Sequence, residues 1–348
     1  MSTAEILQRA GAVAILILVL ALIWLLSDVI LIVVGAVLIA ILLRLVAEPL
    51  TRVCKFPEWL ALTFSGLILV GIVAGAGYLF GSRISAELQD VFQRAQAGQK
   101  SVLGTLKNSE IGKLILPHVF GSDLSITNVV TGLLNISAKL IEAVVITLVT
   151  GLYIAVQPAL YGEGLLKLFP PRLRDDARET IDDVANALRL WLLGQLIQML
   201  IIGLLSACAT WLIGLPSPLA LGLIAGVTEF VPYLGPIIAA VPAVLVAVTK
   251  NFDAVLWTIV AYIIIHQTEG NLIVPLIQRR MIYIPPAVIL LGIVTVSFLF
   301  GTFAVIFAAP IAVVIFVLIK KLYIRDWLGE PTDIPGEPKK LELPASHS

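Results

Sequence analysis

Apolar positions in this chain come as long runs, not as alternating stripes. They occupy residues 11–43, 59–80, 139–157, 191–213, 217–249, 254–275 and 286–319. A helix needs about 20 such residues to cross a hydrocarbon layer ~30 Å thick. Four of the runs have that length, which predicts single spans. The other three are too long for one crossing. Residues 11–43 would make ~50 Å of helix at ~1.5 Å per residue, interrupted only by Ser27-Asp28. Two short helices with a tight turn at Ser27-Asp28 fit that length, and one long tilted helix is the alternative.

The runs 217–249 and 286–319 carry their own interruptions. "TEFVPYLGPIIAAVP" (228–242) sets Glu229, Pro232, Tyr233, Gly235, Pro236 and Pro242 inside hydrocarbon side chains. Proline removes a backbone donor and clashes with the preceding turn, so an unbroken helix is not expected there. Gly301 and Pro310 interrupt the last run in the same way, and Gly270 and Pro275 distort the end of 254–275. Backbone broken at membrane depth is tolerated only where protein or water satisfies it.

The polar segments differ in kind. In "RISAELQDVFQRAQAGQKSVLGTLKNSEIGK" the residues Ile84, Leu88, Val91 and Phe92 recur at helical spacing. Residues 81–138 are therefore expected to form amphipathic helices outside the bilayer. "RLRDDARETIDDVANALRLW" (172–191) sets Ile181, Val184, Ala185, Leu188 and Trp191 on one face, which reads as an interfacial helix. Residues 322–348 are Pro-rich and polar and are expected to be a disordered cytoplasmic tail.

Lys and Arg near the span ends set the orientation. Arg9, then Arg44, Arg52 and Lys55, then Arg172, Arg174, Arg178 and Arg189, and finally Lys320, Lys321 and Arg325 all demand the cytoplasm. Both termini are then inside. Arg279 and Arg280 demand the same side. They reach it only if 217–249 is a re-entrant hairpin entered from outside with its tip at Pro232–Pro236. The run 286–319 must likewise leave and return to the cytoplasmic side, bending near Gly301. The expected fold is an all-α integral membrane protein with about six full spans and two broken, re-entrant helical hairpins. "AAVPAVLV" (239–246) and "AAPIAVVI" (308–315) look alike. They would mark an inverted repeat in the C-terminal half, the usual plan of secondary transporters. Chance likeness of Ala/Val-rich segments is the competing explanation.

The expected organisation is N-terminal spans in 1–80, the extracytoplasmic segment 81–138, and a span at 139–157. Cytoplasmic interfacial helices at 158–190, a transport core at 191–321 and the tail 322–348 follow.

Composition agrees with membrane residence. Of 348 residues, 59% are hydrophobic and 13% charged, and the mean hydropathy is +1.03. The formal net charge is zero, which offers nothing to nucleic acid. The N-terminus does not read as a cleavable signal. Cys54 and Cys208 form no disulfide framework, and His118, His266 and His347 are too scattered for a metal site. No zinc, nucleophile-elbow or Walker motif is present, so no cofactor and no enzyme activity are expected.

The candidate chemistry lies in three ionisable groups within the apolar runs: Glu229, His266 and Glu269. A charge near the bilayer centre costs at least ~2.5–3.5 kcal/mol, so such a group normally faces a cavity or a partner. Burial disfavours the ionised carboxylate, and a Glu held there can exchange a proton or bind a cation. The plainer alternative is a structural group bonded to amides freed at the prolines. Gln267 and Asn271 flank Glu269, and Pro275 leaves the carbonyl near Asn271 without its usual donor. Glu269 and Asn271 do not share a helix face unless Gly270 distorts the turn. Gly71-Gly75, Gly77-Gly81 and Gly222-Gly226, each four apart, predict close helix approach.

"GLPSPLALGLIAGVTEFVPYLGPIIAAVPA", "EGNLIVPLIQRR" and "FGTFAVIFAAPIAVV" together resemble the AI-2E family of bacterial membrane transporters. The likeness covers about residues 10 to 325. It is most specific at Pro232, Tyr233, Gly235 and Pro236, and at Glu269-Gly270-Asn271 with Pro275. It implies a multi-pass protein of the bacterial inner membrane and a homo-oligomer. Some members are linked to export of the signalling molecule autoinducer-2, others to exchange of sodium or lithium for protons. Many members have Asn where this chain has Glu229, and many carry His-Pro where it reads "YIPPAV" (283–288). The leading expectation is a secondary transporter of a small polar solute, coupled to protons or a monovalent cation. A Na+(Li+)/H+ antiporter and, from another class, a membrane scaffold docking through 81–138 are the alternatives.

Overall fold

The computed structural model describes residue 21 and residues 24–107, 138–278 and 284–337. Helix α1 runs Ser27–Cys54, α2 Glu58–Lys107, α3 Ala138–Val156 and α4 Pro158–Leu166. After a 3-10 turn at Pro171–Leu173 come α5 Arg174–Leu212, α6 Pro218–Thr228 and α7 Leu234–Val248. Helix α8, Phe252–Thr268, passes through a π-helical turn, Glu269–Ile273, into α9, Val274–Gln278. Helix α10 is Pro286–Phe300. A 3-10 segment, Thr302–Phe307, leads into α11, Ala308–Leu318, which continues as a π-helix through Trp327. No strand occurs among the described residues. The protein is all-α, as the apolar runs predict.

Among these residues four helices are long and apolar enough to cross a membrane: Ser27–Cys54, Pro171–Leu212, Phe252–Ile277 and Ala304–Trp327. Helices α3 and α4 would form a fifth if counted as one span, but they bend by 90° at Gln157, where Pro158 starts the second helix. Their outer faces are covered in bare Leu, Ile, Val and aromatic side chains, which is what a lipid solvent accepts. Helix α1 begins at Ser27, where the first run was expected to break, and runs on past Leu43 to Cys54. Most of the expected first limb, residues 108–137, the Arg279-Arg280 loop and 338–348 lie outside the described residues.

The chain divides into two compact units: Met1–Glu48, Ala143–Arg189 and Ile284–Ser348, and Pro49–Glu142 with Leu190–Tyr283. In the second unit α6 and α7 pack against each other, and α2 packs along both. They form a hairpin whose two ends meet. Lys250, just after α7, donates from Nζ to the carbonyls of Ile213 (3.0 Å) and Gly214 (2.8 Å), just before α6. The segment therefore enters and leaves on one side, as a re-entrant hairpin must. Gly203 of α5 meets Gly222 and Gly226 of α6 backbone to backbone, and Ala207 of α5 also abuts Gly222, so the expected Gly222-Gly226 seam is a real close approach. Gly71 faces open space instead.

Several expectations need correcting. Residue 81 is not an element boundary, because α2 continues for 50 residues to Lys107. The stretch after Phe80 is rich in Ala, Glu, Gln, Leu and Arg, all good helix formers, and contains no proline. Its far part is no separate module. Glu87 accepts from the Ala220 amide (3.1 Å), Asp90 accepts from Ser217 (3.0 Å), and Val91 is buried in the hairpin core. Pro242, Pro236 and Pro310 do not break helices. Pro242 sits inside α7, and the other two fall in the first turns of α7 and α11, where no donor is needed. The breaks are at Glu229–Tyr233 and at Gly301, which has φ +87°.

In the first unit the buried face of α5 is Thr180, Asp183, Ala187 and Leu188, while Ala185 is exposed. The reason is Lys321, which is buried and paired with Asp183 and with Glu179 (3.2 Å). The expected disorder of 322–348 fails at least to residue 337. Ile334 is buried, Lys320 donates to the Asp333 carbonyl (3.0 Å), and Arg325 pairs with Glu337 (3.4 Å). Gly336 lies so close to α5 that a Cβ there would meet the Asp183 carbonyl at 2.5 Å. Elsewhere in this unit Arg189 pairs with Glu48 (2.6 Å) and Arg44 donates to the Ala155 carbonyl (3.0 Å). Three of the basic clusters that set the orientation thus gather at one end of the unit.

Candidate functional site

The α6–α7 hairpin ends in a tip that helix geometry cannot close. Proline at 232 denies an amide donor within the break at residues 229–233. The chain turns instead through Tyr233, whose φ is +66°, with the Leu234 amide bonded back to the Pro232 carbonyl at 2.8 Å. This three-residue turn is a strained form, and such strain persists only where the surroundings hold it, at roughly 1–3 kcal/mol. Gly235 allows it. A Cβ there would meet the Thr228 carbonyl at 2.5 Å and Glu229 Cα at 2.7 Å. Gly235→Ala is therefore expected to lower stability by about 1–3 kcal/mol, read as a fall in thermal midpoint of the detergent-solubilised protein. An unchanged midpoint would mean that the tip yields freely.

The turn puts Glu229 in the interior, with no exposed surface at all. Gln195 of α5 donates to its backbone carbonyl (2.7 Å). Gln198, one helical turn on, donates to its Oε1 (3.0 Å). The same Gln198 amide donates to Oε1 of Glu269 (2.9 Å). One NH2 group thus holds two buried carboxyls side by side. Glu229 Oε2 has no hydrogen-bond partner.

Glu269 arrives by a different device. Pro275 has no amide to give to Asn271, and the helix opens there into a π turn, with the Val274 amide reaching the Glu269 carbonyl. The bulge turns the Glu269 side chain inward. Its other oxygen lies 3.3 Å from Nδ1 of His266, a ring that is half exposed.

The structure therefore joins Glu229, Glu269 and His266, and sets Tyr233 at the tip of the hairpin that carries Glu229. It does not join Gln267 and Asn271. Both are exposed, and Asn271 spends its amide on the Gln267 carbonyl (2.9 Å). Even with the π turn, Glu269 and Asn271 point apart. Sequence reasoning missed Gln195 and Gln198. Their signal was present in "GQLIQML": two amides three residues apart in an apolar span, hence on one helix face.

Two buried carboxyls at one donor make an energetic demand. Each full charge in hydrocarbon costs at least ~2.5–3.5 kcal/mol, and mutual repulsion adds to it. A proton or a monovalent cation taken up between them relieves both terms. No group of three or more His, Cys, Asp or Glu that could hold a metal occurs among the described residues.

Comparison with known proteins gives the frame for this chemistry. Over 298 residues the chain is 26% identical to "Putative transport protein YueF" of Bacillus subtilis, covering 80% of this chain and 81% of that one. A "Putative transport protein" of Thermotoga maritima is 25% identical over 276 residues, 78% of this chain and 84% of its own. "Putative transport protein YrrI" of Bacillus subtilis is 38% identical over 151 residues, and that match spans only 43% of each chain. The family model described as AI-2E family transporter matches residues 13–324. That match takes in both hairpins and every element between them, and so this multi-pass membrane protein belongs to the AI-2E family of transporters.

Proposed function

We propose that the protein is a secondary transporter that exports or exchanges a small polar solute, driven by a proton or monovalent cation loaded at Glu229 and Glu269. One observation carries this reading: the Gln198 amide clasps two buried carboxyls at the tip of a re-entrant hairpin. Legs of 11 and 15 residues reach ~16 and ~22 Å from the open end, past the middle of a layer ~30 Å thick. The pair then sits near the midplane, where transporters place substrate and coupling sites beside broken helices. Loading neutralises the pair and lets the strained tip at Tyr233 relax or re-form. That gives the cycle two states.

The end at which Arg44, Arg189 and Lys321 gather is the cytoplasmic end on this reading. It puts both termini inside a bacterial inner membrane, with the hairpin entered from outside. Assembly into a homo-oligomer follows from the family resemblance. A scaffold docking through 81–138 is disfavoured because Glu87, Asp90 and Val91 are already engaged with the protein's own hairpin.

The test is flux in proteoliposomes under an imposed pH gradient, with a panel of small polar solutes on one side. Gradient-dependent solute movement supports the transporter. Sodium-dependent proton movement with no solute present would favour the antiporter. Movement of neither under any gradient would remove the reading.

A further inference from the structure

A buried carboxyl pair that cycles a proton needs a group through which to exchange it. Glu229 has no exposed surface and Glu269 very little. The two carboxyls lie within hydrogen-bonding reach of each other, so a proton on one can pass to the other. Gln195 and Gln198 beside them are amides, which donate and accept hydrogen bonds but do not titrate. Helix α7, packed against α8, carries no titratable side chain, and on α5 only Cys208 follows Arg189. On α8 Asp253 stands at the far end, and Tyr262 is buried beside Ser206. That leaves His266. Its Nδ1 is 3.3 Å from Oε2 of Glu269, and its side chain is 52% exposed against 8% for Glu269.

The exposed face of α8 changes character at the same level. Nearer the hairpin's open end it presents Ile259, Ile263 and Ile264, and from His266 onward Gln267, Gly270 and Asn271. A Cβ on Gly270 would meet nothing within 4 Å, so the space before this patch is open. An ionisable residue in a span faces a water-filled cavity or a partner, and the described residues leave this patch uncovered. His266 lies ~21 Å along α8 from Phe252, which sits at the hairpin's open end. In a layer ~30 Å thick that is past the middle, nearer the opposite face.

We propose that His266 is the proton port of the carboxyl pair, exchanging with water on the face opposite the hairpin's open end. Imidazole suits the task because it gains and loses a proton within the physiological pH range. On unloading, Nδ1 of the neutral ring accepts the proton of Glu269. The O–H bond breaks, an N–H bond forms, and a carboxylate and an imidazolium stand side by side. Rotation about the side-chain bonds, open to a ring half in water, turns Nδ1 outward, where a water molecule takes the same proton. The ring returns neutral, and loading is these steps reversed. This inference rests on the coupling role given above to Glu229 and Glu269, and its test separates the two.

Proteoliposomes holding a pH-sensitive dye are compared for the wild type, His266→Asn, His266→Ala, and Glu229→Gln with Glu269→Gln. Asparagine sets an amide N–H where Nδ1 stands, so it can hold Glu269 as the ring does but cannot carry a proton. Matched thermal midpoints check that each variant folds. Proton flux is expected to fall at least tenfold in His266→Asn as well as in His266→Ala, and to lose its dependence on pH at that face. A second measurement needs no flux. With Cys54 and Cys208 changed to Ser, His266→Cys in membrane vesicles should react with a charged, bilayer-impermeant thiol reagent. It should do so from the side opposite the one on which Phe252→Cys reacts. Ile259→Cys, two turns nearer the open end on the same face, should not react. Wild-type flux in His266→Asn beside a silenced carboxyl double variant would overturn the port alone, the ring then being a prop for Glu269. An unreactive His266→Cys, or reaction from the Phe252 side, would overturn it too. Wild-type flux in the carboxyl double variant would overturn the coupling role and the port together.

Discussion

Glu229→Gln, alone or with Glu269→Gln, is expected to abolish gradient-driven transport, with flux at least a hundredfold below wild type. Glutamine keeps the shape and can still accept from Gln198, but it cannot take up or give up a proton. The effect should be larger for Glu229 than for Glu269. Glu229 has no exposed surface and one oxygen with no partner, whereas Glu269 also has His266 within 3.3 Å. A single remaining carboxyl lacks the mutual repulsion that makes loading strongly favourable, so it does not drive the cycle. The measurement is initial rate against imposed pH gradient in proteoliposomes. If the double Gln variant keeps both its flux and its pH dependence, the carboxyls are structural. Stability points the other way. A neutral amide removes a buried charge, so the variants should melt no lower than wild type.

The second large effect concerns folding. Lys321 is buried against Asp183, itself buried, and Glu179. Lys321→Ala leaves the Asp183 carboxylate in the interior with no cation. Breaking one side of such a pair costs about 3–5 kcal/mol. A large fall in thermal midpoint is expected, with loosening of residues 328–337, whose contacts lie along the same part of α5. Limited proteolysis of the C-terminal segment reads that loosening directly. Lys321→Met with Asp183→Leu should recover most of the loss, because an apolar pair of similar volume removes both charges. Equal damage in the single and the double variant would show that shape, not charge, holds the segment.

Comparing residues shows where sequence reasoning reached and where it stopped. Glu229 and Glu269 were visible because a carboxylate in an apolar run is costly wherever the chain goes. A hairpin tip, expected at Pro232–Pro236 and found at Glu229–Tyr233, and the turn at Gly301 were visible because proline and glycine act on their own backbone. The same rule misjudged Pro242. A missing donor is a local fact, but whether a helix survives it depends on what packs around it. Nothing in the sequence marked Asp183 and Lys321 as a buried pair, since a partner 138 residues away leaves no local mark. The C-terminal segment was misread for the same reason. Composition describes what a segment can do alone, and Ile334 and Gly336 are held by α5. Gln198 is the sharpest omission. One amide in a span is unremarkable until the fold sets it between two carboxyls.

The sequence by itself determined that this protein lives in a bilayer, that its hydrocarbon runs form helices, and which side chains would be too costly there to lack a purpose. Those are consequences of solvent, chain length and backbone chemistry, and they need no neighbours. Only the tertiary structure decided that the two acidic groups meet, that a glutamine joins them, and that a hairpin rather than a crossing carries one of them inward. Those depend on distances between residues far apart in the chain, which packing alone sets.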